Sequence, residues 1–338
     1  MPTDIEIAQQ CKMLPIAQIA EKAHVPEEAL EPYGRYKAKI DPALVGNTGR
    51  KAKLVLVTAM TPTPAGEGKT TTTIGLSDGL SRLGGEATGG ADPCHLSLWQ
   101  DHLFAANYSS GSFAVFSLGG AGEIRQRTDL KIHAGHGPNP ARQEGPHAHC
   151  CFPWQDFLCV CDLGLDAIFL YGLEEGKLVE RTRFQAPAGS GPRHLAAHPA
   201  FPSLLYCVTE LTGELLVLQP EGAELRLLRR IPMVPDNFDG LNTAAAIHFT
   251  EDGQSLLVSH RGLDAIAVFP IDARGLPGEP VLSPCVREPR DFMIAGEYVL
   301  AGSQKDHVLR AYRLDGTRLA ETPWELPVHS PVCFQPLV

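Results

Sequence analysis

The pattern of apolar and polar positions divides the chain into two regions. Residues 53–60 (KLVLVTAM) form a short apolar, β-branched run, which predicts a buried parallel strand. Apolar positions recur at helical spacing before it, in residues 4–23, and after it, in residues 71–83. From Gly89 onward, short apolar strands alternate with Gly, Pro, Asn and Asp, which is typical of an all-β domain. We therefore predict one region at 1–84 and another at 89–338.

The second region repeats itself. The short motifs PCHL, PHAH, PRHL, AAAI, PRDF and PVCF recur at intervals of about 42 to 53 residues, a period typical of propeller blades. They begin at Pro93, Pro146, Pro192, Ala244, Pro289 and Pro331. After each of the first five, a second and a third apolar strand follow. This predicts a mainly β fold, an incomplete β-propeller of five blades plus one strand at 331–334, preceded by a small α/β fragment like a P-loop unit.

Polar residues recur where these strands begin and end. In a propeller the first strand of each blade lines the channel and the second runs antiparallel beside it, so the start of one and the end of the other share a mouth. The residues at these positions are His95, Asn107, His147, His149, Asp162, Arg193, His194, Glu210, Arg261, Asp291 and Gln304. Arginines, a carboxylate and histidines at one concave mouth suit an anionic, oxygen-rich ligand. The alternative is that they bond the backbone at blade junctions.

Charge and composition narrow the classes of partner. The formal net charge of −10 argues against nucleic acid and anionic membrane surfaces, since both would repel the chain. The sequence has no apolar run of membrane-spanning length and does not begin like a signal peptide, so we expect a cytoplasmic protein. Its nine cysteines include no C-x-x-C pair and are expected to be reduced and mostly buried.

A glycine loop lies between the predicted strand and helix of the first region. In TPTPAGEGKT, at residues 61–70, Gly66 and Gly68 would let backbone N–H groups approach phosphate oxygens. Lys69 would bind phosphate, and Thr70 stands where a magnesium-ligating hydroxyl belongs. Thr63 replaces the first glycine of the usual P-loop. Spacing alone therefore leaves phosphate binding and a structural turn both open.

Residues 1–83 resemble the amino terminus of formate–tetrahydrofolate ligase. The resemblance is carried by DIEIAQ, IAEKAHVPEEALEPYGRYKAKI, LVLVTAMTPTP and PTPAGEGKTTTTIGL. It implies ancestry with an ATP-dependent enzyme, so ATP is a candidate ligand at Gly66, Gly68, Lys69 and Thr70. The rest of that family's sequence does not follow, so ligase activity is not expected.

Residues 89–338 resemble the seven-bladed lactonase family, which includes 6-phosphogluconolactonase and muconate-lactonising enzymes. The resemblance is carried by GGADPCHLSL, FAANYSSGSFAVF, GPNPARQEGPHAH, DLGLDAIFLY, GSGPRHLAAHP, HRGLDAIAVFPID, PRDF and SPVC. It implies hydrolysis of a small anionic lactone such as 6-phosphogluconolactone, without a cofactor. The family's proposed acid/base and anion-binding residues fall at His147, His149, Arg193, Glu210 and Arg261. The oligomeric state stays open.

Two departures from the family bear on activity. Ala246 stands where the family usually has an acidic residue, and the ligase-like fragment replaces the family's first blades. An unclosed propeller would leave strand edges and apolar faces exposed. Three functions remain: a lactonase impaired by truncation, an ATP-binding fragment of the ligase, and a non-catalytic ligand-binding propeller. No metal is expected at His147 and His149, because no third ligand lies at typical zinc spacing nearby.

Overall fold

The computed structural model describes residues 15–22, 25–32, 34–35, 38–40, 88–120, 122–221 and 224–334. The predicted strand at 53–60, the glycine loop with Gly66, Gly68, Lys69 and Thr70, and the predicted helix at 71–83 lie outside these residues. So does the predicted boundary at 84. The chain divides into two compact units, residues 1–52 and 53–338. Among the described residues, no helix is long and apolar enough to span a membrane.

The first unit contains a short helix and a small hairpin in its described part. Helix α1 covers Ile16–Lys22, a 3-10 turn covers Glu27–Ala29, and strands β1 (Leu30–Pro32) and β2 (Ala38–Ile40) pair antiparallel. Ala20, Val25 and Ala29 are buried together. The helical spacing predicted for residues 4–23 thus yields a helix over its last part.

The second unit contains five four-stranded antiparallel sheets, each built from four strands that are consecutive in the chain. The strands of the first two sheets are β3 (Pro93–Trp99), β4 (His102–Asn107), β5 (Ser112–Leu118), β6 (Ile124–Ile132), β7 (Ala148–Trp154), β8 (Phe157–Asp162), β9 (Ala167–Glu174) and β10 (Lys177–Gln185). Those of the last three are β11 (Pro192–Ala197), β12 (Leu205–Thr209), β13 (Glu214–Glu221), β14 (Glu224–Pro232), β15 (Thr243–Phe249), β16 (Ser255–Arg261), β17 (Ala265–Pro270), β18 (Val281–Pro284), β19 (Pro289–Ala295), β20 (Tyr298–Ser303), β21 (Val308–Asp315) and β22 (Arg318–Pro327). The described part of the chain is therefore mainly β, as predicted.

Each sheet packs face to face on the next in chain order. The first strands contact one another in succession, β3 with β7, β7 with β11, β11 with β15 and β15 with β19. One apolar cluster fills each of the four junctions, for example Phe113 with Phe169 in the first and Tyr206 with Phe269 in the third. The middle strands are buried on both faces because successive side chains point to opposite sides. Along β8, Leu158 and Val160 thus face the first sheet, whereas Cys159 and Cys161 face the third.

A β-bulge interrupts the start of every first strand. The register shifts between Pro93 and His95 in the first sheet, and equivalent shifts occur in the other four. A bulge leaves an unpaired residue and re-aims its side chain. The residues that these bulges leave out of the ladder hydrogen bonds include Cys94, His149, Arg193, Ala245 and Arg290. Each sheet therefore has at least one residue outside its ladder at this same end.

The segment at 331–334 differs from the expected sixth-blade strand. It carries no strand assignment, and no ladder to any of the five sheets includes it. Its backbone is held instead by the Asp291 side chain, which accepts a hydrogen bond from the Phe334 N–H at 2.8 Å. Pro331 and Phe334 lie beside Gly302 of β20, but no ladder among the described residues pairs this segment with a strand.

Candidate active site

Glu210 lies at the centre of a group of arginines drawn from three parts of the chain. It directly follows β12 and is 4% exposed. Its Oε2 lies 2.8 Å from Arg193 Nε and 3.2 Å from Arg261 Nη2, and its Oε1 lies 2.5 Å from Arg142 Nη2. Arg193 comes from the bulge of β11, Arg261 from the end of β16, and Arg142 from the loop between β6 and β7. The order and pairing of the strands thus bring Arg193, Glu210 and Arg261 together, as predicted.

These guanidinium groups fix the charge of Glu210. Burial by itself would raise the pKa of this carboxyl, but the positive charges of Arg261 and Arg193 hold it well below its usual range. The pKa of Arg193 is in turn lowered by burial and by the nearby charge of Arg261. The carboxylate is therefore ionised at neutral pH and is a poor proton acceptor.

Arg193 is enclosed by the protein and does not line the cavity at this mouth. Its side chain is fully buried, and Nη1 donates to the carbonyl oxygen of Ala245 at 2.6 Å. The sequence suggested a direct anion contact for Arg193. Its position behind Glu210 instead makes it a residue that orients the carboxylate, because the bulge of β11 turns the side chain toward the fourth sheet.

A cavity of about 760 Å³ opens at this mouth. Its wall includes Glu210, Arg261, His147, His149 and Arg290. The other residues that line it are Asp92, Cys94, Tyr108, Ser109, Ala141, Arg142, Glu144, Thr243, Glu288, Gln304, Lys305 and His307. The wall therefore draws on all five sheets and their connecting loops, as expected for a channel mouth.

The two histidines of the PHAH motif occupy different environments. His147 stacks on the Tyr108 ring at 4.4 Å, its Nδ1 lies 3.1 Å from the Tyr108 carbonyl oxygen, and its Nε2 lies 3.3 Å from Glu144 Oε1. His149 is more deeply buried, with Nε2 3.9 Å from Glu210 Oε2 and Nδ1 lacking a hydrogen-bond partner. Burial, and then the charge of Arg193, lower the pKa of His149 well below its usual value, so its ring is neutral.

The sequence patterns did not indicate two arginines of the cavity wall, Arg290 and Arg142. Arg290 is 7% exposed, and burial together with the charges of Arg261 and Arg193 lowers its pKa to about 9. It could have been found, because PRDF aligns with PRHL and places Arg290 at the repeat position of Arg193. Arg142 had no such signal, since it lies in a loop without a repeat equivalent.

Several other predicted mouth residues bond the protein itself. Asp162 accepts hydrogen bonds from the backbone N–H groups of His147 and Leu165, and its Oδ2 lies 2.6 Å from His133 Nδ1. Asn107 donates to Ser112 Oγ, and Asp291 accepts from Phe334 N–H. Asp162 and Asp291 thus bond the backbone, as the alternative had it, whereas Asn107 bonds a side chain of its own sheet. Gln304 lines the cavity.

No group of three His, Cys, Asp or Glu residues in the described ranges has the arrangement of a metal site. His147 and His149 flank the ring of Tyr108, which stacks on the first and meets the second edge-on at 5.5 Å. An aromatic ring between two imidazoles keeps their nitrogens from converging on one ion.

The first region of the chain is similar to one enzyme family and the rest to another. Residues 2–91 match the family model formate–tetrahydrofolate ligase. The ligase of Renibacterium salmoninarum is 61% identical over 80 residues, which are 24% of this chain and 14% of that protein. The chain therefore spans only a small part of these relatives.

The remainder matches a lactonase model and proteins named as lactonases. Residues 65–336 match the model described as lactonase, 7-bladed beta-propeller. A 6-phosphogluconolactonase of Bacillus subtilis is 32% identical over 270 residues, 76% of each chain. The structure of a periplasmic gluconolactonase of Pseudomonas aeruginosa superposes with a TM-score of 0.68 at 29% identity, covering 72% of each chain. By the extent of these matches, the chain belongs to the lactonase family of seven-bladed β-propellers.

Proposed function

We propose that this lactone hydrolase acts on a sugar-acid lactone that carries an anionic group, such as 6-phosphogluconolactone, in the cavity at the mouth. The observation that carries the proposal is the meeting of Glu210, Arg261, Arg290 and His147 on one cavity wall. The relative from Bacillus subtilis is named for that substrate, and the neighbour from Pseudomonas aeruginosa for gluconolactone.

The arginine cluster around Glu210 supports an anionic substrate. Arg142, Arg193 and Arg261 share the single carboxylate of Glu210, so this cluster has more positive than negative charge. Arg261 Nε is buried without a hydrogen-bond partner, and Arg290 adds a further guanidinium to the wall. Guanidinium groups pair bidentately with phosphate or carboxylate. Arg261 and Arg290 would therefore bind the substrate's anionic group, with Arg193 fixing Glu210 behind them.

His147 is the better candidate for the general base. The Tyr108 carbonyl can only accept a hydrogen bond, so Nδ1 of His147 carries a hydrogen, and Nε2, 3.3 Å from Glu144 Oε1, is the nitrogen that would exchange a proton. Glu144 lies beside Nε2 and would stabilise the ring once it is protonated. Glu210, with its lowered pKa, would instead orient the attacking water and the arginines.

These roles define the reaction. His147 Nε2 removes a proton from water, and the hydroxide oxygen attacks the lactone carbonyl carbon. The charge that develops on the carbonyl oxygen is stabilised by an arginine of the wall. When the tetrahedral intermediate collapses, the ring C–O bond breaks, and the proton returns from His147 to the departing ring oxygen. Because the guanidinium groups supply the positive charge, we propose that no cofactor takes part, and the rate should not change with EDTA.

The test is the hydrolysis of 6-phosphogluconolactone and gluconolactone, with the spontaneous rate subtracted. His147→Gln should lower kcat by about 10²- to 10⁴-fold, the usual contribution of a general base. His136→Gln is the matched control, because that histidine is exposed and does not line the cavity. No rate above background for the unmodified chain would favour a non-catalytic propeller. Equal rates for all three proteins would place the base elsewhere.

We further propose that the five sheets are five blades of an incomplete ring whose first blades the ligase-like fragment replaces, with the domains at 1–84 and 89–338. This is supported by the seven blades of the family description and by the five sheets in residues 88–334. The residues of the open ring still include the whole candidate site, since Glu210 and its partners lie on or between its sheets.

The ligase-like fragment carries a separate proposal. Its 61% identity to the ligase relatives supports ATP binding at Gly66, Gly68, Lys69 and Thr70, although not the ligase reaction, since so little of those proteins is matched. Binding of a fluorescent ATP analogue that Lys69→Ala abolishes would support it, and equal binding by both would refute it. The absence of nucleic-acid and membrane partners remains a proposal from the net charge of −10. A cytoplasmic location remains a proposal from the lack of an apolar run of membrane-spanning length in the sequence.

A further inference from the structure

A row of buried thiols runs from the second sheet into the third. Cys150 on β7 lies directly opposite Cys161 on β8, so the two side chains share one face of the sheet. Both are fully buried in the same apolar cluster as Cys207 of β12. Cys161 interacts with both Cys150 and Cys207, and burial together with these interactions raises its pKa well above the usual value. This arrangement places three sulfur atoms in sequence across one sheet junction.

The row ends at an imidazole. Cys150 Sγ lies 3.6 Å from Nε2 of His95, which belongs to the first sheet. The other ring nitrogen, Nδ1, is buried without a hydrogen-bond partner. Cys150 is thus the hydrogen-bond partner of this ring in the described part of the chain. An imidazole beside a thiol can accept its proton and leave the reactive thiolate.

The other buried cysteines of this sheet lack such a partner. Burial raises the pKa of Cys151 well above its usual value. Burial acts in the same direction on Cys150, but its interaction with Cys161 and the charge of His95 hold its pKa well below its usual value. The pKa of His95 is raised despite burial, through its interaction with Cys150. These opposite directions agree with a thiolate–imidazolium pair at Cys150 and His95.

We propose that Cys150 is an oxidation site for hydrogen peroxide, which is nearly as small as water and would reach this buried sulfur through local opening of the sheet junction. We further propose that Cys161 resolves the oxidised sulfur into a Cys150–Cys161 disulfide within the second sheet. Directly opposed residues of an antiparallel pair have Cα atoms about 4.5 to 5.5 Å apart, within the range that a disulfide spans. The bond therefore needs little movement of the backbone. This proposal goes beyond the lactonase function and does not depend on it.

The chemistry balances in two steps. The Cys150 thiolate attacks one peroxide oxygen, which becomes the sulfenic acid, and the other oxygen leaves as hydroxide and takes the proton from His95 to form water. The Cys161 sulfur then attacks the sulfenic sulfur, an S–S bond forms, and the sulfenic oxygen leaves as a second water with the thiol proton. Two thiols lose two electrons in total, and one peroxide is reduced to two waters.

The experiment treats the full chain with hydrogen peroxide, blocks free thiols with N-ethylmaleimide during unfolding, and maps disulfides by mass spectrometry without reduction. We expect a Cys150–Cys161 peptide whose formation Cys150→Ser abolishes. Cys161→Ser should instead leave a sulfenic acid at Cys150 that dimedone traps. His95→Gln should slow the reaction about tenfold for each unit by which the thiol pKa rises.

Cys159→Ser is the matched control. Cys159 lies on β8 as well, is fully buried, and is opposite Phe152 without an imidazole beside it. It should leave the rate and the position of the disulfide unchanged. The proposal is overturned if Cys150 and Cys161 stay reduced while exposed Cys333 is oxidised, or if the mapped bond joins Cys161 to Cys207. Equal rates for His95→Gln and the unmodified chain would also overturn it.

Discussion

Both carboxylate oxygens of Glu210 contact guanidinium groups. A buried carboxylate is tolerated when charged partners and hydrogen bonds replace its hydration, and here Arg193, Arg261 and Arg142 do so. Removing the carboxylate would leave the buried Arg193 and Arg261 next to each other without the charge that separates them. The free energy of unfolding of a Glu210 variant therefore measures the strength of these ion pairs without any substrate present.

Glu210→Gln should lower the free energy of unfolding at pH 7 by about 3 kcal/mol or more, the usual cost of breaking a buried ion pair. A carboxyl whose pKa is depressed by folding stabilises the protein above its unfolded value of about 4.3, and this stabilisation is lost as the pH falls through the folded value. The difference between the two proteins should thus shrink as the pH is lowered below about 4. Urea unfolding between pH 7 and pH 3 measures it.

Glu214→Gln provides the control for that experiment. Glu214 is also mostly buried, but its partner Arg230 is half-exposed and lies outside the cavity. Glu214→Gln should lower the free energy of unfolding clearly less than Glu210→Gln does, because water can replace the missing partner of Arg230. A similar loss in both variants, or a difference at pH 7 that persists at pH 3, would contradict the assignment.

Arg290→Gln should raise the KM for 6-phosphogluconolactone about 10- to 100-fold, since a charge-assisted hydrogen bond contributes about 1.5 to 3 kcal/mol. Gluconolactone has no phosphate for Arg290 to bind, so its KM should change much less. Arg287→Gln is the matched control, because Arg287 is exposed and paired with Asp306 outside the cavity wall. Equal changes in KM for the two lactones would show that Arg290 does not contact the phosphate.

At the scale of secondary structure, the residues of the candidate site lie at or next to the ends of strands. The sequence predicted the strand starts well, because Pro and Gly mark them, as at Pro93, Pro192 and Pro289. It could not predict which bulged side chains face the cavity. Arg193 and Arg290 occupy the same repeat position, yet only Arg290 lines the cavity, since Arg193 is drawn to Glu210 and to the Ala245 carbonyl. That difference depends on packing between sheets, which no periodicity encodes.

Gly164→Ala tests how the turn after β8 positions the PHAH segment. A Cβ at Gly164 would lie 1.9 Å from the carbonyl oxygen of Gly145 and 2.9 Å from the backbone nitrogen of His147. The backbone leading to His147 would have to shift, at a cost of about 1 to 3 kcal/mol. We expect lower thermal stability together with a lower kcat for lactone hydrolysis.

Gly120→Ala is the control for this substitution. A Cβ there has nothing within 4 Å, and the loop it belongs to does not line the cavity. Its melting temperature and kcat should match those of the unmodified chain. Unchanged activity in Gly164→Ala would indicate that the position of His147 does not depend on this contact.

Across the whole molecule, four apolar clusters hold the five sheets together, but one large sheet face has no such cluster in the described residues. On the fifth sheet, Tyr298 is 43% exposed and Trp324 is 45% exposed, and both line a shallow groove with Leu300. The equivalent faces of the earlier sheets are covered by the next sheet in the chain. Exposed apolar surface of this kind favours association.

We therefore expect the chain to self-associate with rising concentration, and the double variant Tyr298→Lys, Trp324→Glu to remain dispersed. Since both side chains already contact water, their replacement should have little effect on the melting temperature. Sedimentation velocity over a concentration series measures the association. The two substitutions introduce opposite charges, so the net charge stays constant and general repulsion between molecules does not change.

Leu241→Lys tests whether any exposed apolar side chain is enough to cause self-association. Leu241 is 95% exposed but lies in the loop before β15, away from the fifth sheet. A single exposed apolar side chain is ordinary on a protein surface, whereas a contiguous face is not. Leu241→Lys should thus associate like the unmodified chain. If it disperses the protein as well as the double variant does, or if the double variant still associates, the face of the fifth sheet is not the cause.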